Sequence, residues 1–120
     1  MLEMPSLTTV DQWMTALEAT ANRPLLIFKH STRCPVSAGA YDELTGWLED
    51  ASRLRIDYAF VYVVEDRSVS DAIAGTLGLK HESPQAILIV NGKVMWDASH
   101  WSITYSTLDE HLGNYCEKLQ

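Results

Sequence analysis

Two stretches, Leu25-Leu26-Ile27-Phe28 and the run from Ile56 to Val64, are almost unbroken in apolar residues. Alternation of apolar and polar residues marks a strand that is wet on one face. Unbroken runs mark strands covered on both faces, as in sheets with helices on each side. Leu25–Phe28 is too short for a helix, and Ile56–Val64 is rich in the β-branched and aromatic residues of a central strand. Between them Val36, Ala40, Leu44, Trp47, Leu48 and Ala51 recur at helical spacing, while Asp42, Glu43, Glu49 and Asp50 fall largely elsewhere. This pattern predicts an amphipathic helix of about four turns, and two buried strands joined by a helix form a right-handed βαβ unit.

The flanking segments extend the pattern. Thr8-Thr9-Val10-Asp11 offers a cap, and Val10, Trp13, Leu17 and Ala21 predict a helix from about Val10 to Ala21, stopped by Asn22-Arg23-Pro24. After the second strand Glu65, Asp66 and Arg67 break the apolar run. Ser68 can cap a helix whose buried face is Val69, Ile73 and Leu77, and Gly78 ends it. His81-Glu82-Ser83-Pro84 leads into Ala86–Val90. Asn91-Gly92 then signals a type I′ hairpin to Lys93-Val94-Met95-Trp96. Ser99 to Thr107 supplies caps for a last helix with Leu108, Leu112, Tyr115, Cys116 and Leu119 on its apolar stripe. The order αβαβαββα implies a four-stranded mixed sheet flanked by helices, a thioredoxin-like α/β architecture, in a single domain over residues 1–120.

Charge narrows the partners. With 16 acidic against 9 basic residues the net charge is −7, which disfavours nucleic acid and anionic membrane surfaces and leaves proteins and small molecules. No basic segment followed by an apolar stretch opens the chain, and no run reaches membrane-spanning length, so a cytoplasmic protein is expected. The two cysteines, Cys34 and Cys116, are far apart and form neither a disulfide framework nor a clustered metal motif. His81, His100 and His111 lack the paired spacing of a zinc site, and Trp101 is expected to pack under a loop.

The chemistry concentrates in His30-Ser31-Thr32-Arg33-Cys34-Pro35-Val36-Ser37, at the junction between the first strand and the long helix. Proline suits the first helical position, because its missing N–H would be unpaired there. Cys34 then falls at the N-cap, facing free N–H groups and the positive end of the helix dipole, a setting that favours the nucleophilic thiolate. The plainer alternative, a small buried hydrophobe, suits Cys116 better, since spacing places it on a helix face with Leu112 and Leu119. Ser37 stands where a Cys-x-x-Cys motif has its resolving cysteine, so an external thiol would have to clear any mixed disulfide at Cys34. Its hydroxyl could serve the helix start, donate to the thiolate, or both. Lys29, His30 and Arg33 would bring positive potential to Cys34 and attract an anionic thiol, although each singly is more often a solvated charge.

Phe28-Lys29-His30-Ser31-Thr32, Cys34-Pro35-Val36-Ser37, Ser83-Pro84-Gln85 and Ser99-His100-Trp101-Ser102-Ile103-Thr104 together resemble the monothiol bacilliredoxins, a bacillithiol-system family of thioredoxin-like proteins. The similarity spans nearly the whole chain. The family pattern reads Thr-Cys-Pro-Ile-Ser, from which this chain departs at Arg33 and Val36. The resemblance implies that Pro84 is cis and faces Cys34, with Ser83 as its substrate-facing neighbour. It also implies a monothiol oxidoreductase that removes bacillithiol, as thiol co-substrate and with no bound cofactor, from protein cysteines modified in oxidative stress. Its partners would be bacillithiolated client proteins, the low-molecular-weight thiol and a recycling reductase. Two other classes stay open: a non-catalytic interaction or redox-sensing module, and a monothiol glutaredoxin-like cluster carrier, against which Pro35 speaks.

Overall fold

The computed structural model describes residues 5–117. Helix α1 (Val10–Ala19) starts at a capping box in which the Thr9 hydroxyl accepts from the Gln12 N–H and the Gln12 side chain returns to the Thr9 backbone. Strand β1 (Leu25–His30) follows, buried at all six positions. Helix α2 (Pro35–Asp50) leads to a short strand β2 (Ser52–Leu54) and then β3 (Asp57–Tyr62). Helix α3 (Arg67–Leu77) is closed by Gly78 in the left-handed conformation, φ 62°. Strands β4 (Gln85–Val90) and β5 (Lys93–Ser99) form the hairpin, with Asn91 and Gly92 at φ 51° and 78°. A 3₁₀ turn (His100–Ser102), helix α4 (Tyr105–Leu112), a second 3₁₀ turn (Gly113–Tyr115) and strand β6 (Cys116–Glu117) complete the described chain.

The main sheet runs β3-β1-β4-β5; β1 pairs parallel with β3 and antiparallel with β4, and β4 antiparallel with β5. This is the mixed four-stranded sheet expected from the order of elements. Because successive side chains in a strand point to opposite faces, β1 divides its residues between two cores. Leu26 and Phe28 join Leu44, Trp47, Leu88 and Leu108 beneath α2 and α4. Leu25 and Ile27 join Trp13, Val61, Val69 and Ile73 beneath α1 and α3. Each of the four apolar residues of β1, Leu25 to Phe28, therefore feeds one core or the other.

Four expectations need correction. β3 lies at the edge of the sheet and not in its centre. Its outer side is covered locally, with the Phe60 N–H donating to the Pro5 carbonyl and the Leu7 N–H to that of Phe60, so its apolar composition reflects two covered faces. α3 begins one residue before Ser68, at Arg67 with Asp66 as N-cap. The last helix ends at Leu112, so Cys116 does not share a helix face with it; Cys116 lies in β6 opposite Leu54, and Leu119 lies outside the described residues. Trp101 is not packed under a loop but is 78% exposed.

Candidate functional site

Cys34 sits where the sequence places it, at the N-cap of α2 with extended backbone (φ −113°, ψ 120°) and Pro35 as the first helical residue. Its carbonyl accepts the Ala38 N–H at 3.0 Å, so the backbone enters the helix, while the thiol makes no capping bond. Cys34 is half-buried; Arg33 beside it is exposed.

Ser37, fully buried in the first turn, holds this loop in place. Its Oγ accepts the Ser31 N–H at 3.0 Å and lies 2.7 Å from His30 Nδ1. The hydroxyl is thus committed to the loop more than to the helix start. If His30 carries its proton on Nε2, the Ser37 proton goes to Nδ1 and none remains for the sulfur at Cys34.

His30 is buried and stacks on Phe28 and Tyr41, with ring centroids 5.5 and 5.0 Å apart. Desolvation pushes its pKa below the ordinary imidazole value, with Glu65 opposing weakly, so the ring is neutral at pH 7. Lys29, one residue earlier, points to the other face of the sheet. It is fully buried; its Nζ donates to the Ser70 carbonyl and to His81 Nδ1, both at 3.1 Å. Burial lowers its pKa to about 8, against a weaker pull upward from Asp71. Neither residue is a solvated surface charge, which corrects that expectation. Of the three basic residues near Cys34, Arg33 alone is exposed.

Strand pairing gathers the distant segments. Lys29 lies opposite Gln85, so Pro84, just before β4, comes level with His30 at the end of β1 from which the Cys34 loop departs. The Ser83–Pro84 bond is cis. Pro84 is buried and its carbonyl accepts the His100 N–H at 3.0 Å, while Gln85 pairs with Ser99. The Cys34 loop, Ser83-Pro84 and the turn after Ser99 therefore meet at one end of the sheet. Ser83 Oγ is buried there with no hydrogen-bond partner among the described residues.

Sequence reasoning passed over His81 and Gln85, which organise the approach to Pro84. Gln85 Nε2 donates to the Lys80 carbonyl, Gln85 Oε1 accepts the Glu82 N–H, and His81 Nδ1 lies within 3.2 Å of Ser70 Oγ. A lysine ammonium has only donors, so His81 accepts at Nδ1, and desolvation followed by Lys29 lowers its pKa. The available signal was a glutamine between Pro84 and the apolar run Ala86–Val90, at the first position of β4. Among the described residues no three metal-capable side chains cluster, and no helix is long and apolar enough to cross a membrane.

Cys116 takes no part in this site. It follows the second 3₁₀ turn, where its Sγ donates to the Gly113 carbonyl at 3.2 Å, and it pairs with the strand that follows the C-terminal end of α2. Cys34 precedes the N-terminal end, so the 16 residues of α2, a helix roughly 24 Å long at 1.5 Å per residue, lie between Cys34 and the strand with which Cys116 pairs.

Several solved structures are similar to this chain over most of its length. One, described as "A putative oxidoreductase with a thioredoxin fold", is 36% identical, with a TM-score of 0.76 over 89% of this chain and 91% of its own. Thioredoxin of Fasciola hepatica (13% identity, TM-score 0.72, covering 93% and 99%) and mitochondrial thioredoxin 3 of Saccharomyces cerevisiae in its oxidised form (14%, 0.69, covering 92% and 94%) share the fold. The chain has a thioredoxin fold, and its cysteine site and relatives support a thiol redox function. The family model for monothiol bacilliredoxin BrxC matches residues 5–108, and the chain belongs to that family.

Proposed function

We propose that this protein is a monothiol thiol–disulfide oxidoreductase that removes bacillithiol from modified protein cysteines, with Cys34 as the nucleophile. The observation that carries the reading is the position of Cys34: at the N-cap of α2 where free N–H groups stabilise negative charge, with a thiol not spent on capping, and with buried Ser37 in place of a second cysteine. Ser83 and Pro84, brought to the same end of the sheet, would bind the substrate, and the unmet Ser83 hydroxyl is available to it. Pro35, Ser37 and His30 shape the loop, Arg33 is the exposed cation beside the sulfur, and Lys29 supports from the far face.

The steps balance without a net oxidant. The Cys34 thiolate attacks the bacillithiol sulfur of the client's mixed disulfide. That S–S bond breaks as a new one forms to Cys34, and the client cysteine leaves as a thiolate that takes a proton from solvent. A second thiolate, from free bacillithiol or a reductase, then attacks the bacillithiol sulfur on Cys34 and releases the Cys34 thiolate. The disulfide so formed is reduced elsewhere, since no second thiol adjoins the first.

The test is to incubate the protein with a bacillithiolated client and follow both adducts by intact mass. The adduct should leave the client and appear on Cys34, and Cys34→Ala should be inactive. Equal removal by Cys34→Ala would sink the mechanism. A parallel glutathionylated client separates bacillithiol from thiols in general, and faster removal of glutathione would overturn the substrate assignment.

A further inference from the structure

We propose that the groove between α2 and the turn after β5 binds a cationic side chain of the client polypeptide, about four residues from its modified cysteine. The inference rests on Cys34 as nucleophile and adds a sequence preference to that reading.

The groove encloses about 320 Å³ and is walled on one side by Val36, Gly39, Asp42 and Glu43 of α2, and on the other by His100, Trp101 and Thr104. Its α2 wall begins two residues after Cys34, so whatever occupies it is continuous with the site. Trp101 is the most exposed large apolar side chain among the described residues, at 78%. It is displayed by a turn whose first residue, His100, is held at φ 54°, a conformation that costs a non-glycine residue energy and that concentrates at functional surfaces. An indole so presented offers its ring face to a ligand. Indole faces attract cations, arginine especially.

Charge agrees with this occupant. The carboxylates of Asp42 and Glu43 lie on exposed positions of the wall, and no lysine or arginine lines the groove. Glu43 is steadied by the Tyr105 N–H, which donates to Oε1 at 3.4 Å. His100 turns its Nε2 to within 3.9 Å of Glu82, a carboxylate that does not line the groove. An aromatic face opposed by two carboxylates selects a guanidinium or ammonium and repels an acidic segment.

The spacing follows from helix geometry. Asp42 and Glu43 stand eight and nine residues beyond Cys34, roughly 12–14 Å along the axis at 1.5 Å per residue. An extended polypeptide covers that distance in about four residues at roughly 3.3 Å each.

The test uses short peptides whose single cysteine carries bacillithiol, with Arg, Gln or Glu four residues away on either side. At low ionic strength the Arg peptide should surrender its adduct about tenfold faster than the Glu peptide, as expected for a focused charge interaction. The Asp42→Asn, Glu43→Gln double variant, which keeps the Tyr105 contact, should abolish that preference and still transfer the adduct. Equal rates for the Arg and Glu peptides in the parent protein would overturn the groove while leaving Cys34 intact. In a second measurement the Trp101 indole N–H resonance is followed as Cys34→Ala is titrated with the Arg peptide bearing serine for cysteine. A shift is expected with the Arg peptide and not with the Glu peptide; no shift overturns the groove. If no peptide transfers its adduct but the Trp101 shift is present, the nucleophile assignment falls and the groove stands.

Discussion

Ser37 Oγ lies 2.7 Å from His30 Nδ1 and accepts the Ser31 N–H at 3.0 Å, so one buried hydroxyl ties the end of β1 to the first turn of α2 across the loop that carries Cys34. Ser37→Ala leaves both partners unpaired in a buried setting, which costs about 1–3 kcal/mol. Chemical denaturation should show the loss. An unchanged midpoint would mean that the hydroxyl is not what holds the loop.

Lys29 predicts a rise of stability with pH. Its folded pKa, about 8, lies below the ordinary value of 10.5 because burial penalises the ammonium. Between those values the unfolded chain binds more protons than the folded one, so stability increases as pH climbs from about 8 towards 10.5 and is lowest below 8. Denaturation midpoints at pH 7.5 and 9.5 should differ in the parent more than in Lys29→Met. Parallel behaviour of the two would reject the assignment.

Cys116 is too far from Cys34 to resolve it, because a disulfide needs Cα atoms within about 7 Å and the length of α2 intervenes. Cys116→Ala should transfer the adduct as fast as the parent, and the parent under mild oxidation should show no intramolecular disulfide on non-reducing mass analysis. Detection of a Cys34–Cys116 bridge in folded monomer would contradict the placement.

Gly78 ends α3 at φ 62°, and a Cβ added there meets no atom within 4 Å. The cost of Gly78→Ala is therefore purely conformational, about 1 kcal/mol, and Gly78→Asn should cost less because asparagine tolerates the left-handed region. A thermal-melt series over the three proteins checks the order.

The sequence by itself determined the main elements and their order: unbroken apolar runs for β1 and β3, helical spacing for α2, Asn91-Gly92 for the hairpin, and Cys34-Pro35 for a cysteine at a helix start. These are local properties, set by backbone stereochemistry and by side-chain periodicity over a few residues. Tertiary structure decided what lies next to what. β1 took the central place between β3 and β4, which left β3 an edge covered locally by an N-terminal segment, and the last helix stopped at Leu112, after which Cys116 pairs with the strand that follows α2. Lys29 and His30, adjacent in sequence and alike in charge type, were sent to opposite faces by the pleat, one to His81 and the other to Ser37. Burial then neutralised the imidazole and made the ammonium a structural tie, an outcome that depends on desolvation and so on the packed core around them.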